Sequence, residues 1–171
     1  MKIAVIGAGA SGMMAAIQAA GKGAEVTCFE QKEKIGKKIY ATGNGHCNFS
    51  NQKMQDPTFQ IKNVFYTKEP SKVEQALQRI GVRKICTFFE QEGMLIRSRE
   101  GYLYPYSGQA ATVVELLTRK LKQVNATIFC DVQVLAVKCR PDGRFQLVFQ
   151  PGENCDKKNL RNHTLFDRVI L

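Results

Sequence analysis

The sequence predicts an α/β fold with a Rossmann-like parallel sheet, on the basis of three observations near its N-terminus. Residues 2–6 and 25–30 have the pattern of short strands with apolar centres, and residues 13–22 between them are rich in alanine and methionine. A strand, a helix and a strand within 30 residues are typical of a βαβ unit, whose strands are parallel. A G-x-G-x-x-G pattern at residues 7–12 lies between the first run and the helix, where a dinucleotide-binding turn is expected.

The rest of the chain predicts helices and short antiparallel strands. Ser71 and Glu74 form a capping-box pattern, which predicts a helix that ends near Ile80. The later elements are expected in this order: a helix over 84–91, a hairpin of 94–96 with 102–104, a helix over 110–124, strands over 127–130, 132–138 and 144–149, and a last strand over 165–171. We therefore expect a small antiparallel β-meander over 132–149 and an inserted helical and hairpin segment over 52–107.

Length and composition favour a globular domain with anionic partners. The 171 residues suffice for one domain or a little more, and 44% of them are hydrophobic. Lysine and arginine number 25 against 15 acidic residues, which gives a net charge of +10 and favours phosphates, carboxylates, nucleic acid or acidic lipid. The six cysteines contain no C-x-x-C pair and no zinc-like pairing with the two histidines, so no metal site is predicted. Reduced cysteines favour a cytoplasmic location.

The two ends of the chain each allow a second interpretation. Residues 1–20 also resemble a secretory signal, but three glycines, Ser11 and Gln18 interrupt the apolar stretch and favour the βαβ unit. No other stretch is long enough to span a membrane. Residues 167–171 end the sequence as a bare apolar strand, which favours an N-terminal fragment of a longer protein.

The glycine pattern predicts a phosphate-binding turn. Gly7 would make the tight turn, Gly9 would let a pyrophosphate approach the backbone, and Gly12 would let the helix lie close to the strand. The N-terminus of the helix would offer free N–H groups to the phosphates. Glu30 lies at the end of the second strand, where a carboxylate binds ribose hydroxyls and disfavours the 2′-phosphate of NADP. The alternative is a glycine turn in a core βαβ unit without a ligand.

Two longer stretches resemble a known family. The spacing from Gly7 to Gly36 is similar to the N-terminal FAD-binding motif of the two-dinucleotide-binding flavoproteins. Residues 36–51, G-K-K-I-Y-A-T-G-N-G-H-C-N-F-S-N, and residues 101–110, G-Y-L-Y-P-Y-S-G-Q-A, resemble motifs of the bacterial NAD(P)/FAD-dependent, aminoacetone-oxidase-like flavoproteins, which include a bile-acid reductase of gut bacteria. The resemblance covers essentially the whole chain. Family members are longer and usually have arginine where His46 stands.

This resemblance implies a flavin-dependent oxidoreductase that passes hydride from NAD(P)H through FAD to an organic acceptor, such as an enone of the 3-oxo bile-acid type. The fragment alone is expected to be inactive. The turn pattern and the resemblance together predict these cofactor-binding residues: Gly7, Gly9, Ala10, Ser11, Gly12, Glu30, Gln31, Gly36, Lys37, Lys38, Thr42, Gly43, Asn44, Gly45, Cys47, Asn48 and Val134.

Several roles stay open between a functional and a structural interpretation. His46 is the candidate catalytic residue, as a proton donor or a phosphate partner, and a solvated loop histidine is the alternative. Cys47 has no partner cysteine nearby, so packing is favoured over redox chemistry. Lys37 and Lys38, with the lysines before them, either attract phosphates or form a solvated loop.

The expected partner is a small-molecule substrate, with no nucleic acid and no membrane, and the oligomeric state is left open. One alternative is a nucleic-acid-linked flavoprotein, such as a tRNA modifier, which the net charge suggests. Its basic residues are scattered rather than gathered on a face with interleaved aromatics, which ranks this alternative lower. The other alternative is a truncated, non-catalytic chain that binds FAD.

Overall fold

A computed structural model describes residues 1–56, 59 and 65–171. The chain divides into two compact units. The first unit comprises Met1–Ala41 and Val114–Leu171, and the second comprises Thr42–Val113. The segment predicted as an insertion, 52–107, falls within the second unit, and its residues 57, 58 and 60–64 lie outside the described residues.

The described strands are β1 (Lys2–Ile6), β2 (Glu25–Phe29), β3 (Ser50–Asn51), β4 (Ile96–Arg99), β5 (Tyr102–Pro105), β6 (Thr127–Phe129), β7 (Val132–Cys139), β8 (Phe145–Pro151), β9 (Leu165–Phe166) and β10 (Arg168–Ile170). The described helices are α1 (Ala10–Gly21), α2 (Lys37–Ala41), α3 (Pro70–Arg79), α4 (Val82–Gln91), α5 (Ala110–Gln123) and α6 (Lys157–Leu160). Short 3₁₀ turns occupy Thr42–Gly45 and Gln52–Gln55.

The first unit is built on a parallel sheet with the strand order β10-β1-β2-β6. Strand β1 pairs in parallel with both β10 and β2, and Ile3 lies opposite Val26 of β2. Both central strands are apolar because both of their faces are covered. Helix α1 packs on β1 and β2. The predicted α/β class with a Rossmann-like parallel sheet is therefore confirmed.

The first unit also contains an antiparallel sheet, β7-β8-β9, which shares a core with the parallel one. Phe29 of β2 is the centre of this core: its ring stacks on those of Phe129 and Phe149, each with centroids 5.9 Å apart, and meets Phe166 edge-on at 5.8 Å. Aromatic pairs prefer these two geometries. The β-meander predicted over 132–149 is the β7–β8 hairpin of this sheet.

The last strand was predicted to be continuous over 165–171, and this is wrong. The structure divides it at Asp167: β9 joins the antiparallel sheet through β8, and β10 joins the parallel sheet through β1. At the point where the strand divides, Asp167 forms two hydrogen bonds with Lys2. Its backbone N–H donates to the Lys2 carbonyl at 2.9 Å, and its carboxylate accepts from the Lys2 N–H at 2.7 Å.

The second unit holds the antiparallel sheet β3-β5-β4, with α4 packed against β3. The Phe49 and Phe89 rings meet there at 5.1 Å. The predicted capping box at Ser71 does not form. Helix α3 begins two residues earlier than a Ser71 cap implies, at Pro70, and its N-cap residue Glu69 makes no side-chain cap bond. Proline is favoured at the first helical position because its φ is already helical and no N–H is lost there.

Candidate functional site

The turn between β1 and α1 requires glycine at two positions. Gly7 has a φ of +92°, and its N–H donates to the carbonyl of Phe29 at 2.7 Å, which fixes the turn to the end of β2. A Cβ on Gly12 would overlap the carbonyl oxygen of Gly7 and lie 3.4 Å from Cγ1 of Val5. The predicted roles of tight turn and close helix–strand packing therefore correspond to real steric constraints.

Gly9 plays a different part, because it faces open space. It is the N-cap residue of α1, with no side-chain cap bond, and its φ of −78° is accessible to any residue. A Cβ on Gly9 would meet nothing within 4 Å. Ala10 and Ser11, the next two residues, are exposed. The first N–H groups of a helix lack intrahelical partners, so this end can hold an anion.

Glu30 ties the turn to the ends of the neighbouring strands. One carboxylate oxygen accepts from the N–H of Ala8 at 2.8 Å, and the other accepts from the N–H of Lys32 at 2.9 Å. The Glu30 N–H donates to the carbonyl of Phe129. Each carboxylate oxygen keeps a second lone pair, so the group can still accept from a ligand hydroxyl. Glu30 thus lies beside the turn, as predicted, and also builds it.

Gly36 closes the turn from the side of the following loop. Its N–H donates to the Ala8 carbonyl at 2.8 Å, and its φ is +70°. A Cβ here would lie 2.9 Å from a methyl of Val114, so a larger residue would push against α5. Lys37 and Lys38 follow at the start of α2 with exposed side chains, and Gln31 is also exposed. These three side chains are available to a ligand or to solvent alike.

Val134 is brought toward Glu30 by the backbone of β7. The N–H of Val132 donates to the Glu30 carbonyl at 3.0 Å, and Val134 follows two residues later on the same strand. Its side chain packs against the shared core, and the β7–β8 register shifts directly after it. The first unit therefore gathers the turn, Glu30, Gly36 and the Val134 strand at the ends of its parallel strands.

Residues 42–48 belong to the second unit. Thr42, Gly43, Asn44 and Gly45 form a 3₁₀ turn, and Asn44 has a φ of +52°. Asn44 and Asn48 are exposed. Non-glycine residues rarely adopt such a φ, and where they do the surrounding structure holds them there. The predicted site residues are thus divided between two units, and those of the first unit include the glycine turn and the residues bonded to it.

Cys47 and His46 occupy opposite environments in this turn. Cys47 is buried, with 6% of its surface exposed, and burial raises the pKa of its thiol, although the Thr42 side chain opposes this shift. A protonated thiol is a weak nucleophile, so the structure supports the packing role of Cys47. His46 is exposed, and its Nδ1 lies 2.5 Å from the carbonyl oxygen of Gly108.

Sequence patterns missed two contributors to these arrangements and signalled a third only through a family motif. Ala8 supplies both an N–H to Glu30 and a carbonyl to Gly36, yet an alanine gives no signal of either bond. Arg97 and Gly108 approach His46 from distant parts of the chain. Gly108 stands in a quoted family motif, which was the only signal for it. Among the described residues, no cluster of histidine, cysteine or acidic side chains could hold a metal, and no helix could cross a bilayer.

The parallel sheet and the glycine turn define a Rossmann-type nucleotide-binding domain. Residues 1–160 match the family described as the HI0933-like protein Rossmann domain. The chain belongs to this family.

Two curated relatives carry different functions. The chain is 41% identical over 144 residues to a 3-dehydro-bile acid delta(4,6)-reductase of Clostridium scindens. The aligned region covers 83% of this chain and 34% of that protein. It is 31% identical over 148 residues to a ribosomal RNA dihydrouridine synthase of Haemophilus influenzae. That alignment covers 85% of this chain and 35% of that protein. The chain therefore spans about a third of the length of these relatives.

Solved structures share the fold at low sequence identity. The 3-ketosteroid-delta4-(5alpha)-dehydrogenase of Rhodococcus jostii RHA1 aligns with a TM-score of 0.65 and 13% identity, over 90% of this chain and 42% of that one. THI4 of Thermovibrio ammonificans aligns with a TM-score of 0.55 and 20% identity, over 98% of this chain and 55% of that one. These likenesses establish the fold alone.

Proposed function

We propose that this chain forms part of a flavin-dependent oxidoreductase and that its first unit holds the ADP portion of FAD. The observation that carries the proposal is the open, uncapped N-terminus of α1 at Gly9, with the Glu30 carboxylate fixed beside the same turn. A diphosphate fits the first feature, because it needs N–H donors and close backbone approach. A ribose fits the second, because its hydroxyls donate to a carboxylate.

The chemistry of electron transfer would belong to the flavin, which accepts and delivers hydride when bound. The residues of this chain would hold the cofactor. The first turn of α1 would bind the phosphates, Glu30 would orient the ribose, and β7 near Val134 would approach the adenine. We further propose NAD(P)H as the electron donor and a small organic acceptor as substrate. The C. scindens relative, named as a reductase of a 3-dehydro-bile acid, supports an enone acceptor.

The proposal is tested by substituting Gly9 and measuring FAD binding. Gly9→Val should fold, since the φ of Gly9 suits any residue and its Cβ would meet no protein atom within 4 Å. The valine side chain would instead fill the space of the phosphates, so we expect at least a hundredfold loss of FAD affinity by calorimetric titration. Gly21→Val is the matched control, because it places the same side chain in open space at the other end of α1.

Unchanged FAD affinity in Gly9→Val would show that the turn does not hold the diphosphate. A chain that binds FAD but oxidises no NAD(P)H with any enone would support the alternative of a non-catalytic cofactor-binding part. Stopped-flow reduction of the bound flavin by NADH and by NADPH distinguishes these cases and identifies the donor.

A second candidate is a flavoprotein that modifies ribosomal RNA. Two observations favour it: the H. influenzae relative carries that function, and the net charge of this chain is +10. Phosphate contacts make RNA affinity fall steeply with salt. Binding of a ribosomal RNA fragment, measured between low and physiological salt, separates the candidates. Specific, saturable binding that survives physiological salt would favour RNA, and its absence would favour a small-molecule substrate.

A further inference from the structure

The hydrogen bond from His46 to Gly108 determines which nitrogen of the imidazole is free. Nδ1 of His46 lies 2.5 Å from the carbonyl oxygen of Gly108, and both residues belong to the second unit. A carbonyl oxygen can only accept, so Nδ1 must carry a hydrogen and donate it. The ring nitrogen left available to a ligand is therefore Nε2. Within the described part of the chain, Nε2 makes no hydrogen bond.

Arg97 of β4 approaches the same glycine. A Cβ on Gly108 would lie 2.6 Å from Nη2 of Arg97 and 3.8 Å from Nδ1 of His46. The guanidinium and the imidazole are therefore both close to the Cβ position of this glycine. Gly108 has a φ of +69°, a conformation that strains a side chain, and the Arg97 guanidinium occupies the space beside it. Arg97 is exposed and forms no ion pair or hydrogen bond with the described residues.

The guanidinium of Arg97 and the imidazole of His46, when it is protonated, therefore both offer donors near Gly108. The guanidinium presents N–H groups in a fixed fork that matches carboxylate and phosphate oxygens. A protonated imidazole adds the Nε2–H, and charge-assisted bonds of this kind are the stronger class of hydrogen bond. The bond to Gly108 already orients the His46 ring, so less conformational freedom is lost when a ligand binds.

We propose that His46 and Arg97 form an oxyanion-binding pair for a carboxylate or phosphate group of a ligand. The donors are Nε2 of His46 and the guanidinium of Arg97, while Nδ1 holds the ring in place. This goes beyond the proposed function, which places a portion of the cofactor on the first unit and assigns no ligand to this pair.

The first test is the tautomer of His46 in the full 171-residue chain. The sequence has only two histidines, so a two-bond ¹H–¹⁵N spectrum of the labelled protein contains two ring systems, and His163→Gln assigns them. At a pH where both rings are neutral, we expect His46 to carry its hydrogen on Nδ1, which is the less common form of free imidazole. An Nε2-protonated neutral ring would overturn the proposal.

The second test is anion binding by the FAD-loaded chain. Inorganic phosphate and acetate, titrated separately at constant ionic strength and mildly acidic pH, should each shift the His46 ring signals saturably. His163 is the internal reference: it lies in the first unit, with Nδ1 3.1 Å from Oγ1 of Thr27. A stronger response to phosphate would favour a phosphorylated ligand, and a stronger response to acetate would favour a carboxylic acid.

Three variants locate the donors, with binding followed at the Gly108 amide. His46→Asn keeps a donor near the Nδ1 position and has no counterpart of Nε2, so it should bind phosphate at least tenfold more weakly while the turn remains intact. Arg97→Gln should weaken binding by at least tenfold as well. Arg99→Gln is the matched control, because Arg99 is the next arginine on β4 and is also exposed. The amide spectrum of each variant verifies that the unit is folded.

Three results would overturn the proposal. Equal shifts of both histidines, or equal weakening by Arg97→Gln and Arg99→Gln, would indicate an adventitious ion only. A phosphate response that appears without FAD and disappears on loading would assign the pair to the cofactor site. The test is independent of the cofactor proposal, since FAD binding that survives Gly9→Val would refute that proposal and leave this one standing.

Discussion

Replacing Glu30 should destabilise the protein before any ligand is added. The carboxylate accepts hydrogen bonds from the N–H groups of Ala8 and Lys32, and Ala8 is fully buried. Glu30→Ala leaves the Ala8 N–H without this acceptor in a place that water does not reach readily. A hydrogen bond to a charged group contributes roughly 1.5–3 kcal/mol, whereas the Lys32 bond is exposed and contributes little.

We therefore expect Glu30→Ala to lower the free energy of unfolding by about 2 kcal/mol in the absence of FAD. For a chain of this size, each kcal/mol lowers Tm by about 2–4 °C, so the melting temperature should fall by about 4–8 °C. The melting temperature of Glu30→Gln should lie between those of Glu30→Ala and the wild type, because the glutamine amide keeps one accepting oxygen and loses the other.

Differential scanning calorimetry of the apo-protein is the assay, with Glu33→Ala as the control. Glu33 is an exposed acid in the same loop, and its removal should leave Tm unchanged within a degree or so. If Glu30→Ala melts like the wild type without FAD and differs only when FAD is present, the carboxylate acts on the ligand alone and does not stabilise the turn.

Other outcomes follow from the packing and the titrating groups. Gly12→Ala should abolish cooperative unfolding by circular dichroism, because its Cβ would overlap a backbone carbonyl that cannot move away; a native melt would contradict this. Burial lowers the pKa of His163 below its usual 6.5, so the unfolded state binds the proton more readily. Stability should therefore decrease as the pH falls through 6.5 and level off below the folded pKa, and urea titrations of His163→Gln should lack this step. Burial raises the pKa of Cys28 to about 12, so a thiol reagent should modify the exposed Cys139 rapidly and Cys28 only on unfolding; early labelling of Cys28, detected by peptide mass spectrometry, would refute this.

The part of the fold that sequence predicted well is the part that local rules determine. The βαβ unit could be predicted because its apolar runs, its helix formers and its glycines all favour one structure. The element boundaries that the sequence did not predict depend on individual residues and their contacts. The last strand divides because Asp167 bonds Lys2, a residue 165 positions away. Helix α3 begins at Pro70, because proline at the first helical position outweighed the capping pattern at Ser71.

The candidate site shows the same limit more sharply. Gly7, Gly9 and Gly12 could be assigned roles from spacing; the structure gives Gly7 and Gly12 a steric cause, whereas the role of Gly9 toward a phosphate stays a prediction. The two hydrogen bonds that the Glu30 carboxylate accepts from backbone N–H groups could not be predicted, because they depend on the positions of the two loops that hold Ala8 and Lys32. The approach of Arg97 and His46 to Gly108 had no signal from pattern or spacing, because 50 residues separate Arg97 from His46 in the chain.

The shared aromatic core connects the antiparallel sheet to the glycine turn. The carbonyl of Phe29 holds the Gly7 turn, and the ring of Phe29 lies among side chains from β6, β8 and β9. A substitution at Phe166 would therefore affect the glycine turn through the end of β2, although 159 positions separate Phe166 from Gly7 in the chain. For this reason, a mutational scan that measures ligand affinity should identify residues of the C-terminal strands. Their effect would arise because they support the position of the turn, and it would not indicate a second binding surface.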